Sequence, residues 1–333
     1  MRFKHRKRIL SLPVIGRLRT LTKRVKLKRY GNISLYRFFN IFFFNIKDDE
    51  IMDRANGVSY NLILAIFPTI IFLFTLIPYV SNYYPEINRD SIMQFMGEIM
   101  PASMYEVASS TVLDIISNQR GGLLTFGFVF ALFLATNGML ALMRAFNACY
   151  KTVDKRNAWR MRFTATGLTL MLSLVLFFAI VLLVVGQVAI NYVTVHLEDF
   201  SNLNLDSFTI YGLLVLRFAV IFIVFFFAIS FIYYFGPAVH YNWKFFSVGS
   251  WIATLACLAV SYGFSYYVTN FGSYNKVYGS IGALIALMIW IQLLTVVLLF
   301  GYEINASLHY GMKVQEVEKF KKQKTRREVS SGR

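Results

Sequence analysis

The chain has 333 residues, of which 57% are hydrophobic and 15% charged, and its mean hydropathy is +0.54. Soluble domains carry roughly 25% charged residues, so this chain has too little polar surface to cover a water-soluble core, and 17% aromatic residues exclude a disordered one. The 34 Lys and Arg against 17 Asp and Glu leave a net charge of +17, and two cysteines, Cys149 and Cys257, are too few for a disulfide framework or a cysteine-based metal site.

This is the composition of an integral membrane protein. Residues 1–32 form a basic arm with no apolar run ahead of residue 33, so no cleavable signal peptide is expected. From 33 to 47, Leu35, Phe38, Phe39, Phe42, Phe43 and Ile46 recur at helical spacing over too short a stretch to span a bilayer. They predict an amphipathic helix in the inner interface; a helix packed beneath the bundle would carry the same pattern.

A membrane domain is expected over 58–310, with uncharged apolar runs at 58–80, 121–143, 163–190, 208–235, 245–268 and 277–302. Each is long enough to cross a bilayer as a helix. The fourth and fifth runs lie close enough to be misjoined. The first run contains Asn61, and near its middle Pro68, which frees the carbonyl of Leu64. Between the first two runs, 81–120 predicts a small external helical cap: Ile92, Phe95, Met96, Ile99 and Met100 share one helical face, Pro101 ends it, and Met104, Val107, Leu113 and Ile116 suggest a second helix. Asn137 lies in the second run and Gln292 in the sixth, with Glu303 and Asn305 closing the sixth at its inner end. Arg217 is the one charged residue inside the six runs, nine residues into the fourth, roughly 14 Å deep by the helical rise. An ionisable group there either snorkels to headgroups or marks a substrate path. Residues 311–333 form a basic tail.

The expected fold is therefore all-α: six transmembrane helices, an N-terminal interfacial amphipathic helix and a small external cap. Thirty Lys and Arg fall in the two terminal segments and the two loops on their side, and three in the opposite loops. That asymmetry places both termini in the cytoplasm. It also directs the positive charge toward anionic lipid headgroups rather than nucleic acid.

Enzyme chemistry has little support. His5, His196, His240 and His309 are isolated, no phosphate-binding or dinucleotide fingerprint occurs, and Asp48, Asp49, Glu50 and Asp53 read as solvated charges beside the first span. No cofactor or metal is expected. Arg217, Asn61, Pro68, Asn137, Gln292, Glu303 and Asn305 are the candidates for a substrate path. They suggest a transporter or flippase-like protein for a lipid or other amphipathic anion. The alternative is a non-transporting envelope scaffold or assembly factor, with further copies or envelope proteins as partners; a membrane enzyme is the weaker third.

At its C-terminal end the sequence resembles a family. Tyr274-Asn275-Lys276-Val277-Tyr278-Gly279-Ser280-Ile281-Gly282-Ala283, then Trp290, then Gly301-Tyr302-Glu303-Ile304-Asn305-Ala306 is similar to the signature of the YihY/virulence factor BrkB family. Asn56 to Tyr60 with Phe67-Pro68, and Ala145-Phe146-Asn147 with Tyr150, resemble its earlier motifs, although Ser59 stands where Ala is usual. The resemblance implies a six-span protein of the bacterial cytoplasmic (inner) membrane. It makes Tyr278, Gly279, Gly282, Glu303 and Asn305 motif residues. Members have also carried a ribonuclease label, for which this chain lacks ligand-spaced metal-binding residues.

The charge asymmetry predicts that a lone cysteine at position 100, in a chain whose own cysteines are replaced, reacts with an impermeant thiol reagent on intact cells. Reaction only after lysis would invert the topology.

Overall fold

In the computed structural model the described residues are 20–27, 30–48, 50–81, 90, 92–94, 97, 102–150, 154–196, 206–238, 244–270 and 281–331, with some side chains in these ranges, including those of 179–196 and of Arg217, outside the description. A two-residue hairpin, β1 (Lys26–Leu27) and β2 (Ile33–Ser34), pairs antiparallel with Lys26 opposite Ser34. Its turn uses Gly31 and Asn32 at positive φ, a conformation that glycine and asparagine adopt at little cost. Then follow α1 (Leu35–Asp48), α2 (Ile51–Val80), α3 (Ala102–Ser117), α4 (Gly121–Cys149), α5 (Ala158–His196), α6 (Asp206–Phe235), α7 (Val248–Asn270) and α8 (Ile281–Ser331).

Six helices, α2 and α4 to α8, are long and apolar enough to cross a membrane. The protein is an all-α, multi-pass membrane protein. Most of the helices extend beyond the apolar runs, most of all α8, because backbone hydrogen bonding continues where hydropathy stops; α7 instead starts inside its run, at Val248. Gly236 and Pro237 lie between α6 and α7, so the fourth and fifth spans are separate helices.

Each spanning helix packs on its neighbour in sequence, and α8 returns to pack on α2, so the six form a closed ring. The most extensively packed pair is α2 with α4. A Cβ on Gly127 would lie 3.4 Å from the Phe72 Cα, and one on Gly138 would lie 2.6 Å from a Leu62 methyl. Small residues permit this approach in a membrane, where van der Waals contact replaces the hydrophobic drive. The same device joins α7 to α8. A Cβ on Gly249 would collide with the Gly301 carbonyl, and one on Gly301 would lie 2.6 Å from the Ala253 Cβ.

At the end where α2 starts and α4 stops, here the basic end, Phe146 of α4, Tyr233 of α6 and Tyr302 of α8 meet across the ring. All three are buried, with Phe146 stacked on Tyr302 at 4.2 Å and Tyr233 edge-on to both rings at 5.5 Å. The three come from alternate helices of the ring, so they plug its axis. The Tyr233 hydroxyl donates to the Leu298 carbonyl at 2.6 Å, which satisfies a polar group that could not otherwise be buried here.

Away from this plug, several helix faces lose cover among the described residues. On one face of α7, exposure rises from 0% at Thr254 through 2% at Cys257 to 45% at Val268. On α8 it rises from 0% at Leu299 to 41% at Met288, and on α5 from 0% at Ala165 to 54% at Leu176. Residues three or four apart share a helix face, so each helix loses cover on the face that packs at the basic end. Among the described residues, α2 and α4 stay packed at the far end, where Val112 and Ile116 of α3 bury against Phe74 and Ile77, and Gly282 at the start of α8 is also buried.

Replacing Gly249 by alanine should destabilise the protein by about 1–3 kcal/mol through overpacking. Gly263→Ala on the same helix meets nothing within 4 Å and should not. Thermal unfolding in detergent compares the two.

Candidate functional site

The basic end is organised by one stretch of α8. Gly301 admits α7, and Tyr302 completes the aromatic plug. Glu303 is fully buried; its Oε1 accepts from Asn45 Nδ2 of α1 and from Ser307 Oγ, both at 2.8 Å. Asn305 caps α7: its Oδ1 accepts from the Gly249 amide at 2.8 Å, and its Nδ2 donates to Ser247 Oγ. Ser247 Oγ also accepts from the Ser250 amide, and Ser250 Oγ accepts from the Ser247 amide, both at 3.1 Å. These contacts satisfy amides that a helix start leaves unpaired.

Beside this node lies a cavity of about 420 Å³, bounded by Asn40, Ile41, Phe44 and Asn45 of α1, Cys149 and Tyr150 at the end of α4, and Ala306, Tyr310 and Lys313 of α8. Asn40, Ile41, Phe44 and Asn45 share a face of α1, as do the three α8 residues on theirs. Lys313 Nζ stands 5.2 Å over the Tyr150 ring, and Arg54 Nη1 lies 4.0 Å from Cys149 Sγ. Farther along α8, Arg37 of α1 grips Glu318 with two hydrogen bonds of 2.7 and 3.1 Å, and β2 seats Ile33 against Gly311. The amphipathic helix expected from 33 thus starts at Leu35, after β2, and this segment packs on α8 through Ile33 and Asn45, with Phe38 buried while Phe39, Phe43 and Phe44 stay exposed.

A second polar node ties the loops of this end together. Asn147 Nδ2 donates to Asp154 at 3.0 Å, and Asn147 Oδ1 accepts from the Ala238 amide at 2.7 Å. Arg156 pairs with Asp154 at 2.7 Å and donates to the Gly236 carbonyl at 3.0 Å. Burial pushes the Asp154 carboxyl up, but the Arg156 side chain and amide, with Asn147, more than reverse this and hold it below its ordinary value.

The structure divides the residues singled out in the sequence. Gln292 joins α8 to α2, donating to Asn56 Oδ1 at 2.5 Å and accepting from the Ser59 hydroxyl. Asn61 bonds within its own helix to the Gly57 carbonyl at 2.7 Å. Asn137 is half-buried on α4 and Pro68 is buried in α2, which continues through it. Glu303 and Asn305 belong to the basic-end node, and of the other motif residues Gly282 is buried. Met96, Met100, Tyr278 and Gly279, and the side chain of Arg217, lie outside the described residues. Of the seven candidates, Glu303 and Asn305 meet at the basic end and Gln292 joins α8 to α2.

Asn45, Tyr150 and Lys313, which complete the site, sit outside the apolar runs where no span-based search looks. Arg162, just before the third run, places its guanidinium 4.3 Å over the Phe133 ring, a partner for a cation at the bilayer edge. Among the described residues, no group of three His, Cys, Asp or Glu side chains is placed to hold a metal.

The sequence profile of the family described as virulence factor BrkB matches residues 42–327. The chain belongs to that family. It is 31% identical over 267 residues to the ribonuclease-like protein YfkH of Bacillus subtilis, covering 80% of this chain and 93% of YfkH. It is 23% identical to a UPF0761 membrane protein of Alteromonas mediterranea, over 87% of this chain and 94% of that one. A UPF0761 membrane protein of Vibrio parahaemolyticus is 26% identical, over 83% of each chain. No solved structure matches the chain.

Because the folded Asp154 carboxyl titrates below its usual value of 3.8, it stabilises the fold wherever it is ionised, and that contribution is lost as pH falls through the folded value. Asp154→Asn should therefore lower the melting temperature at neutral pH. The gap from the parent should narrow only in strong acid.

Proposed function

We propose that the protein moves an amphipathic anion, with a lipid as the leading candidate, between the leaflets of the bacterial inner membrane, with its basic end and both termini in the cytoplasm. The observation that carries this reading is the uneven packing of the ring. Six helices close around an axis, an aromatic plug seals the axis at one end, and the same helix faces lose cover toward the other. A carrier needs a path that is open on one side and shut on the other. A bundle serving only as an anchor gains nothing from a half-opened interior.

In this reading Phe146, Tyr233 and Tyr302 form the closed gate. Arg217 attracts the anionic group in the outer half, since a charge at that depth is costly unless it faces a partner or water. Pro68 weakens α2 where the path would pass. Asn61, Asn137 and Gln292 supply polar edges, with Gln292 giving up its bond to Asn56 as α2 and α8 separate. Glu303 and Asn305 hold the sealed end together rather than contact substrate.

We do not extend the ribonuclease-like name of the Bacillus relative to this chain, because its four histidines are scattered in sequence and no ligand spacing links them. The scaffold reading draws on α8, which runs well past its apolar run to Ser331 and offers a basic helical arm to partners.

The test is interleaflet movement of a fluorescent phosphatidylglycerol in proteoliposomes, read by chemical quenching of the outer leaflet. The protein should accelerate movement over protein-free vesicles. Arg217→Ala should remove most of this, roughly ten- to hundredfold if one charge-assisted contact worth about 1.5–3 kcal/mol is lost, and Arg217→Lys should restore part of it. No acceleration by the parent would favour the scaffold.

A further inference from the structure

The 420 Å³ cavity between α1, the end of α4 and α8 has a use beyond joining helices. Its volume falls within the roughly 300–1,000 Å³ of small-ligand sites. Its lining is divided by chemistry. Lys313, Asn40, Asn45 and Tyr150 supply an ammonium, two amides and a phenol, whereas Ile41, Phe44 and Ala306 are apolar. No lining residue is acidic. The nearby carboxylate of Glu303 takes hydrogen bonds from Asn45 and Ser307, so Asn45 stands between it and the cavity. A second cation, Arg54, lies at the Cys149 wall.

The apolar side of the cavity continues onto the outside of the protein. Phe44 is both a lining residue and exposed, and Phe43 and Phe39 extend the same exposed aromatic surface along α1. A free phosphate would use the ammonium and amides but leave this surface idle. A molecule with an anionic group on an apolar chain uses both parts.

We propose that this cavity binds the phosphate headgroup of an anionic phospholipid from the leaflet at the basic end, with the phosphate against Lys313 and the acyl chain along Phe44 and Phe43. Lys313 provides the charge-assisted contact, and Asn40 and Tyr150 hydrogen-bond the remaining oxygens. The aromatic edge of α1 holds the chain at the depth where an interfacial helix meets the acyl boundary. The role of the site as the loading or release point rests on the transport reading above; its occupancy does not.

Native mass spectrometry of the full-length protein in detergent measures that occupancy with phosphatidylglycerol, phosphatidylcholine and inorganic phosphate as separate probes. Phosphatidylglycerol should be retained in preference to phosphatidylcholine, and inorganic phosphate should not displace it. Lys313→Glu should weaken phosphatidylglycerol binding roughly tenfold, the scale of one charge-assisted hydrogen bond, and Lys313→Arg should retain it. Lys321→Glu, about 12 Å farther along α8 by the helical rise, should leave binding unchanged. If Lys313→Glu does not fold, Asn40→Asp places the opposing charge on the exposed rim of the same cavity. Unchanged binding in the cavity variants, equal loss in Lys321→Glu, or full displacement by inorganic phosphate overturns the site. None of these outcomes touches interleaflet movement, which is read separately, so the transport reading can stand without the site.

Discussion

Water is absent from the bilayer core, so each polar group there must find its partner inside the protein. The stretch Gly301 to Ser307 of α8 meets this constraint for several helices at once. Gly301 removes the side chain that would hold α7 away, Tyr302 fills the ring axis, Glu303 accepts from α1, and Asn305 completes the first turn of α7. These roles depend on helical geometry: successive residues point in different directions, so one turn and a half of α8 faces α1, α4, α6 and α7. A buried carboxylate and amide are costly unless hydrogen-bonded, and here they are bonded to the elements they position.

Sealing one end this firmly has consequences for the other. The Asn147–Asp154–Arg156 node ties the end of α4, the following loop and the Gly236 turn into the same region. The basic end thereby gains polar ties that do not depend on the spans packing along their whole length. Helices fixed at one end and separating toward the other can tilt about the fixed end, the rocking that alternating access requires. The α2–α4 pair is packed through Gly127 and Gly138 and backed by α3; in the transport reading it would be the static side.

Much of the fold was legible in the sequence because a bilayer imposes length and hydropathy on each span. The six runs all appear as helices, and the gap between the fourth and fifth separates two of them. Their ends were less visible: α8 continues to Ser331 and α2 starts at Ile51 because charged residues end an apolar count without ending a helix. The site was only partly legible. Glu303 and Asn305 stood out as polar residues closing an apolar run, but the sequence did not show that they bond α1 and the start of α7. Asn45 could not be found this way, since it sits on an amphipathic helix rich in Phe, 258 positions from the carboxylate it bonds. The plug was hidden for another reason. Phe146 and Tyr302 stood inside motifs of the family resemblance, but nothing in the sequence pairs them with each other or with Tyr233 among 33 Phe and 20 Tyr, and only the ring closure brings them together.

The central claim is that the ring is sealed at the basic end and open toward the other. Single cysteines at Thr254, Ser261 and Ser265 share one face of α7, with Gly263 on another face as the control, in a chain whose own two cysteines are replaced. Their reaction rates with a water-soluble thiol reagent, in proteoliposomes, measure water access along that face. The account predicts fast reaction at 265, slower reaction at 261, and almost none at 254 or 263. A chain that is unreactive at 261 and 265, or as reactive at 254 as at 265, would contradict it.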